Sequence, residues 1–252
     1  MSKTAIIGGS GLEDPSILKK GKEVRIMTPW GEPSSSLLSG TINNREVVLL
    51  SRHGRKHTIP PTQVNNRANL WALREAGCER IITTTACGSL RENIGRGDLV
   101  IPDQFIDFTR RRELSFFDSF EAGNMKHTPM SDPFNQSMRN DLISIAEKLD
   151  IHVHNKGTII TIEGPRFSTR AESKMFRAWG ADLVNMSIAP EAILANELEI
   201  PYVCIAMSTD YDSWHDDEEP VSWQEVIKIF KQNVNKVVGL ILAYFEARQH
   251  QP

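Results

Sequence analysis

Cysteine is scarce in this chain. Three residues, Cys78, Cys87 and Cys204, form neither a C-x-x-C pair nor an even set. That excludes a disulfide framework and argues against a cysteine-built metal centre. Long apolar runs are missing too. None approaches the ~20 residues that a membrane-spanning helix needs. The opening "MSKTAIIGGSG" is too short in apolar residues for a secretory leader. No membrane association and a reducing, cytoplasmic setting are therefore expected. The sequons at Asn135 and Asn185 then carry no glycan. An excess of one charge is also lacking: the net charge is −3 over 252 residues. It gives no electrostatic reason to bind nucleic acid. Linkers rich in Pro, Gly or Ser, internal repeats and low-complexity segments are absent, so residues 1–252 read as one domain.

What is present alternates between short apolar runs and helical patterns. "TAIIGG" reads as a buried strand ending at Gly8, and "EVVLLS" as another behind the turn "NNR". "QVNNRANLWALREAG" has helical spacing at Val64, Leu70, Leu73 and Ala76, with Gly77 as its stop. "RIITTTA" is a β-branched strand. "DLVIPDQFID" reads as one strand, with Pro102 pushing it toward an edge or a bulge. Residues 108–135 read as irregular. "SMRNDLISIAEKLD" is a helix, "GTIITIEGP" a strand, and "TRAESKMFRAWG" a helix opened by a Thr169/Glu172 capping box. "LVNM" is a short strand, Pro190 marks a first helical residue before "EAILANEL", and "YVCIAMSTD" is the last strand. A final helix starts at Ser222, with Glu225 completing a second capping box. Its apolar stripe runs from Trp223 through Val226, Ile227, Phe230, Val234, Val237 and Ile241 to Phe245. The expected fold is α/β: a central mixed β-sheet flanked by α-helices.

The chemistry-bearing residues sit at strand ends. "GGSGLED" fails the dinucleotide fingerprint because Asp14 stands where glycine is required, and no Walker A lysine occurs. Its glycines and Ser10 still allow an anion to approach backbone N–H groups; taken alone, the loop fits a plain strand-ending turn slightly better. "SRHGRKH" delivers Arg52 and His53 side by side, and Arg55, Lys56 and His57 add cationic character. A guanidinium fork suits phosphate or carboxylate. His53 and His57 have metal-ligand spacing, but no carboxylate or cysteine adjoins them, and no metal is expected. At "TTACGSLRE", Thr83, Thr84 and Thr85 end a strand, and Ala86, Cys87, Gly88 and Ser89 leave backbone N–H groups accessible. Ligands gather outside the carboxyl ends of strands in such sheets. Three strand ends, at Ser10, Arg52–His53 and Thr85–Ala86, converging on one tetrahedral anion is one reading; three unrelated turns is the other. "STDYD" places Asp210 and Asp212 two apart, sharing a face if extended. Close carboxylates resist joint ionisation, so one can stay protonated and donate to a leaving group; a strand-terminating pair that caps the next segment is the other reading.

"SRHGRKHTIPP", "TTACGSLRE", "TIEGPRFSTRAE", "NMSIAPEAILA" and "STDYDSW", in that order, closely resemble the purine nucleoside phosphorylase family, over nearly the whole chain. Within it the resemblance is narrowest to the branch that acts on 5′-methylthioadenosine. It implies phosphate-dependent cleavage of that nucleoside to adenine and 5-methylthioribose 1-phosphate, with no metal or organic cofactor. Phosphate is implied at Ser10, Arg52, His53, Thr85, Ala86 and Ser187. Many relatives carry threonine at the first and last of these. Met186 is implied against the ribose, Phe167 and Ser168 beside the base, and Asp210 and Asp212 on the base edge as the catalytic pair. Acids there favour a 6-aminopurine, since a carboxylate repels a 6-oxo group; a 6-oxopurine nucleoside or methylthioinosine phosphorylase is the alternative, and a non-catalytic nucleotide-binding module a more distant one. The 5′ end is implied at Trp223, Val226 and Ile227, with His127 reaching in from a neighbouring subunit. Several relatives have a smaller apolar residue where Trp223 stands. The family's common state is a homotrimer, and hexamers occur.

Overall fold

The computed structural model describes residues 3–8, 17–215 and 222–248. Among them, eleven strands form one mixed sheet. Its centre is β5, Cys78–Ser89, flanked by β1, Lys3–Gly8, and β11, Tyr202–Asp210. Both neighbours run parallel to it. Beyond β1 lie β4, Arg45–Ser51, then β3, Leu37–Ile42, and β2, Lys19–Val24. Further along β5, past the end of the β1 pairing, β10, Leu183–Asn185, then β9, Thr158–Ile162, and β7, Gln104–Phe108, complete the main order. The short β6, Leu99–Val100, pairs with β11 and with β8, Val153–His154.

Helices cover both faces. α1, Asn66–Glu75, and α4, Ile188–Glu197, pack on one face, against Ala5, Ile7, Ile81, Cys204 and Ala206. α2, Gln136–Lys148, and α5, Trp223–Ala247, pack on the other, against Ile6, Ile82, Val203, Ile205 and Met207. Successive residues of each central strand thus serve opposite cores. This is why β1, β5 and β11 are continuous apolar runs rather than alternating ones. α3, Arg170–Ala178, anchors a third cluster through Phe176. Its capping box is complete, Thr169 accepting from Glu172 N–H and Glu172 from Thr169 N–H. Such caps contribute about 1 kcal/mol each.

Several expectations change. "DLVIPDQFID" is two strands, since Pro102 cannot donate to a ladder. α4 begins at Ile188, two residues before Pro190, which sits inside the first turn where no intrahelical donor is needed. Ser222 caps α5 by accepting from Glu225 N–H, but the Glu225 carboxylate faces Arg96 at 3.7 Å. β2 and β3 were not foreseen, nor was β8. β5 runs on through Cys87 and Gly88 to Ser89 instead of ending at Thr85. Among the described residues no helix is long and apolar enough to cross a membrane.

Candidate active site

The extension of β5 builds the site. On one edge its parallel pairing with β1 stops at Thr83, opposite Ile7. Antiparallel pairing with β10 takes over on that edge only at Gly88, opposite Val184. Between them, among the described residues, Thr84 to Cys87 have no strand partner on that side. A cavity of about 590 Å³ opens there, and Thr85, Ala86, Cys87 and Gly88 line it. The accessible backbone expected from the small residues of "TTACGS" thus comes from a change of partner, not from a strand end.

Loops at neighbouring strand ends supply the rest of the wall. Arg52 and His53 follow β4, Met186 and Ser187 follow β10, Phe167 precedes α3, Asp210 ends β11, Asp212 lies in the turn after it, and Trp223 and Val226 open α5. Ser168 is buried and does not itself line the cavity; its side chain bears on the Asp212 carboxyl. Ile227 is half-buried on α5 and does not line the cavity. Ser10 lies outside the described residues. His127 is exposed and lines a different cavity, of about 640 Å³, with Phe117, Lys126 and Tyr202.

Arg52 differs most from expectation. It is 2% exposed, and four of its five N–H groups are committed. Nε and Nη2 grip Glu191 at 2.5 and 3.2 Å, Nη2 donates to Thr83 Oγ1 at 2.6 Å, and Nη1 to the Thr84 carbonyl at 3.1 Å. Burial works to lower the guanidinium pKa, but the Glu191 charge holds it above its ordinary value. The fork therefore faces a carboxylate, leaving one Nη1 hydrogen for a ligand. Glu191 itself is 1% exposed and also accepts from Tyr202 Oη at 2.8 Å. The sequence carried a signal for it: one acid in the otherwise apolar "IAPEAILA" of α4 must find a partner if buried.

His53, unlike Arg52, is not a cation. Its Nδ1 lies 2.8 Å from the Ile59 carbonyl, which only accepts, so Nδ1 carries the proton and Nε2 is an acceptor. Burial first, and then the Arg52 charge, push its pKa down to about 4. Because that lies below the ordinary value of about 6.5, the neutral ring stabilises the fold above that pH. The contribution is lost as pH falls toward 4. The His53 ring resonance in an NMR titration is expected to stay flat from about pH 8 to about pH 5. An inflection near its ordinary value of about 6.5 would overturn this assignment. Arg55 points elsewhere, 3.4 Å from Glu23.

Neutral donors make up the difference. Thr85 Oγ1 stands 3.4 Å from Ser187 Oγ and 3.3 Å from Asn185 Nδ2. Ser187 is the N-cap of α4 but makes no side-chain cap bond. Its hydroxyl stays available at the positive end of a ten-residue helix. Thr161 Oγ1 orients Asn185 and takes the Ala189 N–H of the same helix. Asn185 went unnoticed in the sequence because its role depends on Thr161, distant in the chain.

Asp210 and Asp212 meet by a turn, not by strand alternation. Asp212 adopts a left-handed φ of 49° and its N–H donates to Asp210 Oδ1 at 2.8 Å. Thr209 Oγ1 lies 2.8 Å from Asp210 Oδ2. The Ser173 and Ser168 hydroxyls are directed at the Asp212 carboxyl and work to lower its pKa. Both carboxyls have raised pKa values, and for both the chief cause is burial. The mutual charge expected to lead is a minor contribution for Asp210. Gly88 makes room for the pair: a Cβ there would stand 2.9 Å from Asp210 Oδ1 and 3.1 Å from Asp212 Cβ. The turn is fastened by Ser213 Oγ donating to Ser168 O and Trp214 Nε1 to Ser89 O, both at 2.8 Å.

The cysteines are spent on packing. All three are buried, and burial pushes the Cys78 thiol up to about 12. None is poised as a nucleophile.

A family model described as the phosphorylase superfamily matches residues 3–246. The S-methyl-5′-thioadenosine phosphorylase of Xenopus tropicalis is 55% identical over 95% of this chain and 86% of its own length. That of Danio rerio is 51% identical, again over 95% and 86%. The solved methylthioadenosine phosphorylase of Schistosoma mansoni in complex with adenine superposes with a TM-score of 0.94 at 39% identity, covering 100% of this chain and 93% of that one. With the fold and the match running almost end to end, this chain belongs to the phosphorylase superfamily.

Proposed function

We propose that this protein cleaves 5′-methylthioadenosine with inorganic phosphate, giving adenine and 5-methylthioribose 1-phosphate. One observation carries the reading. A single cavity joins a nearly neutral anion cradle at Arg52, Thr85, Ala86 and Ser187 to two buried acids at Asp210 and Asp212. Thr85 and Gly88 mark the two ends, three residues and so about 10 Å apart along β5. That leaves room for a ribose between anion and base.

The chemistry follows from the groups present. Adenine offers an N7 acceptor and an N6 donor on one edge. Asp210, whose buried carboxyl holds its proton to higher pH than an exposed one, donates to N7, and Asp212 accepts from N6. Protonation relieves the charge that builds on the departing base. The sugar becomes oxocarbenium-like, and a phosphate oxygen takes C1′ as the glycosidic bond breaks. Because Glu191 already neutralises Arg52, the phosphate keeps its nucleophilicity. His53 meets phosphate as an acceptor from a protonated oxygen. Phe167 offers its face to the purine and Met186 its thioether to the ribose. Trp223 and Val226 give the 5′ end an apolar wall, which suits methylthio over hydroxyl.

The same reading makes the molecule one catalytic domain in a cytoplasmic homo-oligomer, a trimer or a hexamer, needing no metal or cofactor. The partner's His127 closes the 5′ end. Its own exposure, and that of Phe117, Phe120 and Met125 nearby, supports a covered surface there.

Incubation with methylthioadenosine tests the reaction: adenine appears only when phosphate is supplied. Release without phosphate would make the protein a hydrolase, and no release under either condition would leave a binding module. Asp212→Asn is expected to cut the preference for 6-amino over 6-oxo nucleosides by about 10-fold or more, the worth of one hydrogen bond to a charged group.

A further inference from the structure

A second group of side chains lies at the β8 edge of the sheet, and none of its members lines the catalytic cavity. His152 precedes β8 and His154 ends it, with their rings 5.0 Å apart and edge-on. Asp98 comes from the turn before β6. Its Oδ2 lies 3.0 Å from His154 Nε2 and accepts from Gly95 N–H at 2.8 Å. Pairing of Leu99 with Val153 and of Val100 with His154 fixes the two elements in register. Ligand-type atoms of the three side chains all lie within 4.8 Å of one another.

We propose that Asp98, His152 and His154 bind a divalent transition ion of the zinc class. Two imidazoles and one carboxylate suit zinc, cobalt, nickel or copper, whereas calcium and magnesium require oxygen ligands. Bonds of about 2.0–2.1 Å around a tetrahedral ion set ligand atoms about 3.3 Å apart. The Asp98–His154 spacing of 3.0 Å is already close to that edge. His152 is exposed and turns about its χ angles to close the third side. Water completes the shell. The ion clips β8 to the turn at 95–98. That turn is tied to β11, through Ser208 N–H to the Asp98 carbonyl at 3.0 Å and Gly97 N–H to the Ser208 carbonyl at 2.7 Å. The site is structural, separate from phosphorolysis.

Calorimetric titration of zinc into the untagged protein tests this. The expected result is one equivalent bound, with a melting temperature raised by roughly 5 °C when zinc is about 100-fold above its Kd. His152→Ala/His154→Ala removes both effects. Should that pair of changes unfold the protein, the exposed His152→Ala alone weakens binding about tenfold or more. His53 and His57, with rings 4.6 Å apart, are the competing histidine pair. His53→Ala/His57→Ala leaves the isotherm intact. An isotherm that survives loss of His152 and His154, one that vanishes with His53 and His57, or no binding at all overturns the proposal.

Discussion

Asp210→Asn is expected to lower kcat for methylthioadenosine phosphorolysis by about 10²- to 10⁴-fold, the range for loss of a positioned general acid. Asparagine keeps the shape. Its carbonyl can accept the Asp212 N–H that now reaches Asp210 Oδ1 at 2.8 Å. The amide can approach Thr209 Oγ1, now 2.8 Å from Oδ2. The turn therefore survives, and KM changes little. What disappears is a transferable proton. The parent enzyme also loses activity as pH rises through the raised Asp210 pKa, because the acid form is then depleted. The same titration affects stability. The unfolded carboxyl ionises near 3.9, whereas the folded one holds its proton to higher pH. Stability from this group is thus full at low pH and declines as pH rises above the unfolded value. In Asp210→Asn that decline shrinks. Activity within about twofold of the parent would remove Asp210 from its role as acid.

Glu191→Ala has the largest expected cost in stability. It strands the Arg52 guanidinium, 2% exposed, without its countercharge. Breaking a buried pair in this way costs about 3–5 kcal/mol. For a chain of this size that is a fall of roughly 10 °C in melting temperature. The Thr83 and Tyr202 hydroxyls, 2.9 and 2.8 Å from Glu191 Oε2, lose their acceptor as well. Glu191→Gln separates charge from shape. It leaves Arg52 unneutralised beside the anion cradle, so KM for phosphate falls several-fold while the melting temperature drops less. A Glu191→Ala protein melting within about 2 °C of the parent would show that the pair adds no net stability.

Much of this was legible in the sequence, for physical reasons that differ by element. β1, β4, β5, β9 and β11 are apolar runs in "TAIIG", "EVVLLS", "RIITTT", "TIITI" and "YVCIAMSTD", buried on both faces or nearly so. β2 was hidden because "KKGKEV" is an exposed, lysine-rich strand at the sheet's margin, with no apolar face to read. Pro102 signalled a disturbance without saying that it would divide the strand. At the site, local motifs placed Arg52, Thr85, Ser187 and the two aspartates near strand ends, and the cavity brings them together. What could not be read was who satisfies whom. Glu191 lies 139 residues from Arg52, and the state of His53 depends on the Ile59 carbonyl and on burial. His127 could not be placed against a neighbour from its own chain, in which it lines a different cavity.

The exchange of neighbours along β5 has a consequence for how this enzyme can change. Thr85 and Gly88 ride on one continuous ribbon whose ends are gripped by different strands. Adding or deleting a single residue between them would swap inward and outward side chains downstream. It would displace the aspartate turn from the anion cradle in the same stroke. Selection can therefore retune either end only by exchanging side chains. On the proposed reading, the spacing between nucleophile and leaving group is set by the strand's own repeat, a ruler that no single substitution can redraw.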